Sequence, residues 1–340
     1  MYSINRKKVL ISILIAFIII GLGASSGSSQ ISILDTISIT LNKLINLPLR
    51  EGVTSQQVSI AWKLRLPRVL LAFIVGGCLA TSGSVVQSVL KNELASPHTL
   101  GVSSGASFGA GLVIVSGMYI PFLGNFTLPL VGFIFGLITV FLVMAFSVKI
   151  DKTMSNNTII LAGMVFSLFV NALLTTVSAF FSDDLKSITL WQMGSFAMKG
   201  WSYVGLILPF FIIGMLGVLR YTKEMDILTF GEEQAKLVGV ETQKVKTKLF
   251  VYCSILTGGA VALSGTIGFV DLIAPHVVRT VFGSTHKYVI PMSFIFGGCL
   301  MVVTDLIART IFSPMELPVG AVTAIIGAPF FAYIYFKKAS

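Results

Sequence analysis

Ten runs of apolar residues, each close to the roughly 20 that an α-helix needs to cross a bilayer, follow one another along these 340 residues. They lie near residues 9–27, 66–90, 99–119, 127–148, 157–181, 201–219, 247–265, 268–283, 289–308 and 319–336. Only 11% of the chain is charged, against about 25% in an ordinary soluble domain, so it has too little polar surface to fold in water. Within lipid every backbone N–H and C=O must be satisfied internally, and runs of this length achieve that as helices. The expected fold is an all-α polytopic membrane protein, a single domain over residues 1–340 with about ten transmembrane helices.

An even number of spans returns both termini to one side. Arg6, Lys7 and Lys8 open the chain and Lys337 and Lys338 close it, and basic residues are retained on the cytoplasmic side. With both ends cytoplasmic, sixteen of the 24 Lys and Arg face inward. Eight face outward: Lys43, Arg50, Lys63, Arg65, Arg68, Lys186, Lys199 and Arg309. Residues 28–60 form the long external segment and residues 220–248 the largest cytoplasmic one. The basic start, apolar run and GASSGSS resemble a cleavable signal peptide, but the spans that follow favour an uncleaved first helix.

There is no G-x-x-x-x-G-K-[ST] to cradle a nucleotide and no H-E-x-x-H. His98, His276 and His286 stand apart and are expected to be satisfied or interfacial rather than metal ligands. Cys78, Cys253 and Cys299 fall within apolar runs, where a thiol behaves as a small hydrophobe. No cofactor or metal is expected in the chain itself, and no nucleic acid among its partners. Energy for driven transport must therefore come from a partner or an ion gradient.

Lys63, Arg65 and Arg68 crowd the external start of the second span, and Arg309 closes the ninth span on the same face. Snorkelling to headgroups accounts for any one of them. Three arginines on one rim fit better as a docking surface for acidic groups, because guanidinium binds carboxylate in bidentate fashion. Gly101, Gly105 and Gly109, like Gly132 and Gly136, recur every four residues, a spacing that lets helix backbones approach in lipid. Ser82, Ser84 and Gln87 in the second span, and Ser167 and Asn171 in the fifth, place polar groups at membrane depth. Such groups face a pathway or bond between helices.

Two further features organise the chain. SG (82–83) followed by LASPH (94–98) is echoed by SG (264–265) followed by LIAPH (272–276), so the halves are weakly related, as in transporters whose broken helices meet near the substrate. Pro97 and Pro275 would each interrupt a helix. In the cytoplasmic segment, GEEQAKLVGVETQKVK is read as a short helix, a hinge at Gly239 and a second helix entering the seventh span. Its start carries Gly231, Glu232 and Glu233, which suit a helix N-terminus. Leu237 and Val238 would be exposed unless a partner covers them; the sharper reading is a docking helix for a cytoplasmic motor, the plainer a solvated linker.

These residues together resemble the permease subunits of type II ABC importers for iron–siderophore complexes, a family that includes vitamin B12 and haem permeases. The resemblance runs from about residue 60 to 336. It rests on RLPR (65–68), SGSVVQ (82–87), KNELASPHTLGVSSGA (91–106), LAG (161–163), WQMGS (191–195), FGEEQAKLVGV (230–240), GTIGFVDLIAPHVVR (265–279) and DLIARTIFSPMELPVGAVTAIIGAPFF (305–331). It implies a second permease subunit, two cytoplasmic ATPase subunits that bind ATP and Mg, an extracytoplasmic substrate-binding protein and a bacterial plasma-membrane location among lipid. It assigns Arg65, Arg68 and Arg309 to glutamates on the binding protein. Residues near 231–240 become the coupling helices, and Gln87 and Asn171 fall on path-lining spans.

Two positions depart from the family pattern: Glu93, where Pro is usual, and Asp271, where Gly is usual. A buried carboxylate needs a partner or a proton, and the sequence names none for Asp271. The functional expectation is a permease passing an iron(III)–siderophore inward, with a cobalamin or haem permease as the alternative within the class. An ion-coupled secondary transporter is the alternative outside it.

Overall fold

The computed structural model describes residues 2–27, 31–152 and 154–339, with side chains described over 6–333 of these. Lys337 and Lys338 therefore lie outside the described side chains, as do residues 28–30 of the external segment. The helices run, in order, α1 (Tyr2–Ser25), α2 (Ile33–Ile45), α3 (Ser55–Ser59), α4 (Leu66–Val89), α5 (Val102–Ser116), α6 (Thr127–Ile150), α7 (Asn156–Phe180), α8 (Leu185–Gln192), α9 (Trp201–Arg220), α10 (Thr222–Thr229), α11 (Glu232–Leu237), α12 (Thr242–Ser264), α13 (Val270–Phe282), α14 (His286–Thr310) and α15 (Val319–Ala339). No strand occurs among the described residues.

Ten of these (α1, α4 to α7, α9 and α12 to α15) answer to the ten apolar runs. Among the described residues, seven helical stretches are long and apolar enough to cross a membrane. The shorter ones are α5, α13 and the described part of α15, Val319–Tyr333. Helices α5 and α13 are short because the chain breaks just before each. A 3-10 turn at Pro97–Leu100 and Gly101 at φ 82° precede α5; Gly265 at φ 80° and Phe269 at φ 70° precede α13. Such breaks are tolerated at depth where protein surrounds them. Pro97 opens its turn as expected, but Pro275 lies within α13. The interruption sits instead at Gly265–Phe269, where positive φ turns the chain before the helix begins.

Lys8 donates to the carbonyl of Val281 at the end of α13 (2.7 Å), so the N-terminus lies at the end of the bundle that also carries α10 and α11. We call this the basal end. The apical end carries Ser25, Arg65, Arg68 and Glu316.

Helix α4 is the central post: 83% of its most apolar window is buried, against 28% for α1 and for α7. Its run of small residues, GGCLATSGS, lets neighbours reach the backbone. A Cβ on Gly76 would stand 2.4 Å from the carbonyl of Gly297 in α14, and one on Gly83 would stand 2.0 Å from the carbonyl of Asp271 in α13. Ser84 and Ser293 hydroxyls meet at 2.7 Å across the α4–α14 seam. The fourfold glycine spacing also packs as read: Gly105 and Gly109 receive Thr139 and Phe135 of α6, while Gly136 lies against the carbonyl of Val102. In lipid this backbone approach, with its dispersion contacts, is what holds helices together.

Amphipathic α2, between α1 and α3, was not foreseen. Ile39 packs on Ile31 and Ala61, while Ile33, Leu34, Ile37, Leu41, Leu44 and Ile45 remain exposed.

Candidate functional site

At the apical end α4 and α14 place the predicted arginines side by side. Arg68, on the first turn of α4, grips Asp305 of α14 through Nε (3.0 and 3.1 Å) and Nη2 (2.9 Å). Its outer edge holds Glu316 at 2.9 and 3.0 Å. Arg309, one turn beyond Asp305, donates to the Gly23 carbonyl and lies 3.8 Å from Asp305. Arg65 ends the π-helical segment Ile60–Arg65 and donates to the Ser25 carbonyl. The three guanidinium groups are gathered at one end, but turned inward: Arg65 is buried, and Asp305 at 1% exposure is the counterion shared by Arg68 and Arg309. Glu316, 40% exposed, is the outermost member. Of the other cations expected to face outward, Lys63 and Lys186 are exposed. Lys199 is folded in: it donates to the Leu263 carbonyl, and burial pulls its ammonium down to about 8.

The pathway candidates separate. Ser82 is fully buried and donates to the carbonyls of Cys78 (2.9 Å) and Cys253 (3.3 Å), so it joins helices rather than facing a path within this chain. Gln87 donates to the Asp271 carbonyl (3.2 Å) and accepts from Arg279 (2.6 Å). Ser167 faces the break at Gly101, and Asn171 is exposed on α7. The two echo segments meet here. Asp271, at the start of α13, accepts from the Ser96 hydroxyl, with the His98 ring 4.0 Å away. Its position in a first helical turn also suits its charge. That supplies the partner the sequence could not name.

Beneath this junction a cavity of about 670 Å³ opens at the basal end, lined by Gln87, Lys91, Glu93, Asp226, Arg279 and His286. Glu93, the second departure, lines this cavity together with Arg279. His286, expected to be satisfied, bonds Asp226 of α10 through Nδ1 (2.6 Å) and Ser88 of α4 through Nε2 (2.6 Å). This chain of bonds ties α10 to α4 and α14.

The basal segment 220–248 folds as read, with one addition, α10. Gly231 (φ 130°) and Gly239 (φ 87°) bracket α11, adopting conformations that favour glycine. Ala235 is buried, while Leu237 is 86% and Val238 67% exposed, and Phe230 before the start of α11 is also exposed. Glu232 pairs with Lys246 of α12.

The profile described as the FecCD transport family matches residues 13–337. The chain belongs to the FecCD transport family. The expectation drawn from the motifs, membership of the type II ABC-importer permeases, is thereby met. An ABC transporter permease protein of Bacillus subtilis (YvrB) is 43% identical over 82% of this chain and 79% of its own length. The hemin transport system permease protein HmuU of Yersinia pestis is 32% identical over 98% of this chain and 97% of its own. A solved ABC transporter of metal-chelate type, in an inward-facing conformation, superposes with a TM-score of 0.85 at 30% identity, covering 98% and 99% of the two chains. Like other FecCD members the chain is a transport component, a multi-pass membrane protein rather than an enzyme.

Within this FecCD chain, Asp305 and Lys246, the buried partners at the centre of the apical and basal ion pairs, were missed from sequence. Asp305 had a usable signal: a carboxylate inside an apolar run, four residues before Arg309, needs a buried partner.

Proposed function

We propose that this chain is the permease subunit of an importer carrying an iron(III)–siderophore complex across the bacterial plasma membrane, with both termini and the basal end cytoplasmic. One observation carries the reading. Helix α11 stands off the basal end with Leu237, Val238 and Phe230 in the open, a surface that needs a protein to cover it. Two ATPase subunits, which bind ATP and Mg themselves, fit that need, with Gly231, Glu232, Glu233, Leu237, Val238 and Gly239 forming the coupling element. Replacing Leu237 and Val238 together by aspartate is expected to weaken ATPase association by about 2 kcal/mol or more, roughly thirtyfold. Quantitative co-purification reads this; retention at the unmodified level would count against the coupling role.

A second permease subunit is proposed to pack against α7, which carries exposed Leu161, Leu168 and Phe169 as well as Asn171. The path then runs between subunits past Ser167 and Asn171, and Gln87 with Ser82 supports it from behind. An iron chelate as cargo is supported by the metal-chelate type of the structural neighbour and the hemin system of the relative. Uptake of iron–siderophore, hemin and cobalamin in a deletion strain with and without this gene separates them, and restoration of cobalamin uptake alone would replace the iron reading.

The apical arginines are proposed as the docking point for carboxylates of a substrate-binding protein. Because Arg68 already holds Glu316 on its open edge, an incoming carboxylate exchanges with Glu316 while Asp305 keeps Arg68 in place. Glu316→Gln is therefore expected to tighten binding-protein association by about two- to fivefold, the worth of one exposed pair. Titration of the binding protein against reconstituted permease reads it. Unchanged or weaker association would remove Arg68 from the docking surface.

A further inference from the structure

A lysine enclosed by protein is costly unless each of its three donors finds an acceptor and its charge a counterion. Lys246, in the second turn of α12, is 1% exposed and meets that demand with groups drawn entirely from other segments. It pairs with Glu232, the first residue of α11. It donates to Oδ1 of Asn156, the first residue of α7 (2.9 Å), and to the carbonyl of Met154 in the turn between α6 and α7 (3.2 Å). That turn is itself held under tension. Met154 sits at φ 53°, a region a methionine rarely enters unless its surroundings impose it. Its buried side chain lies against Thr247 of α12, and Gln243 of α12 bonds the neighbouring carbonyl of Lys152.

On the other side, α11 is a six-residue body with a glycine of positive φ at each end and a single buried side chain, Ala235. A push on α11 can swing it on those glycines. It cannot leave Lys246 without stranding a charge inside protein, which is strongly disfavoured. The cheaper response moves the Met154 turn and the head of α7 with it. From this we infer that Lys246 is a positioning residue that delivers displacement of α11 to α7, through Glu232 on one side and Asn156 and Met154 on the other. The inference rests on α11 being the coupling element and adds the route by which its motion reaches the helix carrying Ser167 and Asn171.

The complex of this chain with its co-purified ATPase subunits, reconstituted and spin-labelled at Leu161→Cys on the exposed face of α7, tests the route. The label is expected to respond to ATP in the otherwise unmodified complex. Lys246→Met is expected to abolish that response while the ATPase subunits still bind and hydrolyse, and Lys246→Arg is expected to retain it. An ATP response in Lys246→Met equal to the unmodified one would overturn the proposal. If Lys246→Met does not accumulate, Asn156→Ala, which leaves the Lys246–Glu232 pair intact, is expected to diminish the response, and an undiminished one would overturn it equally. Failure of the ATPase subunits to bind the unmodified chain is a distinct result that would remove the coupling reading itself.

Discussion

Asp305→Ala is expected to destabilise the protein by about 3–5 kcal/mol, the range for stripping one partner from a buried ion pair. Two guanidinium groups converge on this carboxylate, Arg68 through three contacts and Arg309 at 3.8 Å. Without it both cations remain in a low-dielectric pocket with only Glu316 at the edge. Glu316→Ala, by contrast, removes an exposed partner and is expected to cost less than about 1 kcal/mol. Thermal unfolding of the two variants in detergent separates buried from exposed pairing at one site. Near-equal losses would mean that the cluster is solvated and that Asp305 is not its keystone.

Gly83→Ala is expected to prevent accumulation of folded protein. The added methyl would lie 2.0 Å from the carbonyl oxygen and 2.7 Å from the carbonyl carbon of Asp271. The obstructing atoms are backbone, so no rotamer change relieves the clash. Either α13 shifts away from α4, breaking the bond from Gln87 to that same carbonyl, or the pair does not form. Overpacking of a core ordinarily costs about 1–3 kcal/mol, and a backbone collision belongs at or above the top of that range. Gly21→Ala in α1, with nothing within 4 Å of the new Cβ, is the control, expected near neutral because alanine is the better helix former by about 1 kcal/mol. Monodisperse yield on size exclusion reads both; wild-type yield for Gly83→Ala would refute the tight crossing.

Much of this architecture was legible because lipid imposes a length rule on every span, and that rule acts locally. The same locality explains what was missed. Asp271 finds Ser96 across 175 residues of sequence, and Arg68 finds Asp305 across 237; no window along the chain contains either pair. Glycines four apart announced the α5–α6 contact because that spacing lines one helix face. The closer α4–α14 contact uses adjacent glycines, Gly76–Gly77 and Gly297–Gly298, each followed by Cys-Leu, and that twin GGCL was the unused signal. Helix α2 could also have been read, since Ile33, Ile37, Leu41 and Leu44 fall at helical spacing inside residues 28–60. Of the site residues, Leu237 and Val238 were foreseen as exposed because no apolar run surrounds them. The inward turn of Arg65, Arg68 and Arg309 was not, because exposure depends on neighbours that other helices supply.

The glycine seam between α4 and α14 has a mechanical corollary. Two rods touching backbone to backbone, and pinned by a hydroxyl pair at 2.7 Å, have no slack in which to slide or roll. They are expected to act as the stator of the machine. Whatever opens and shuts this protein must then be sought in the loosely wrapped staves around that spindle, α7 foremost, and a crosslink across the seam should leave turnover untouched.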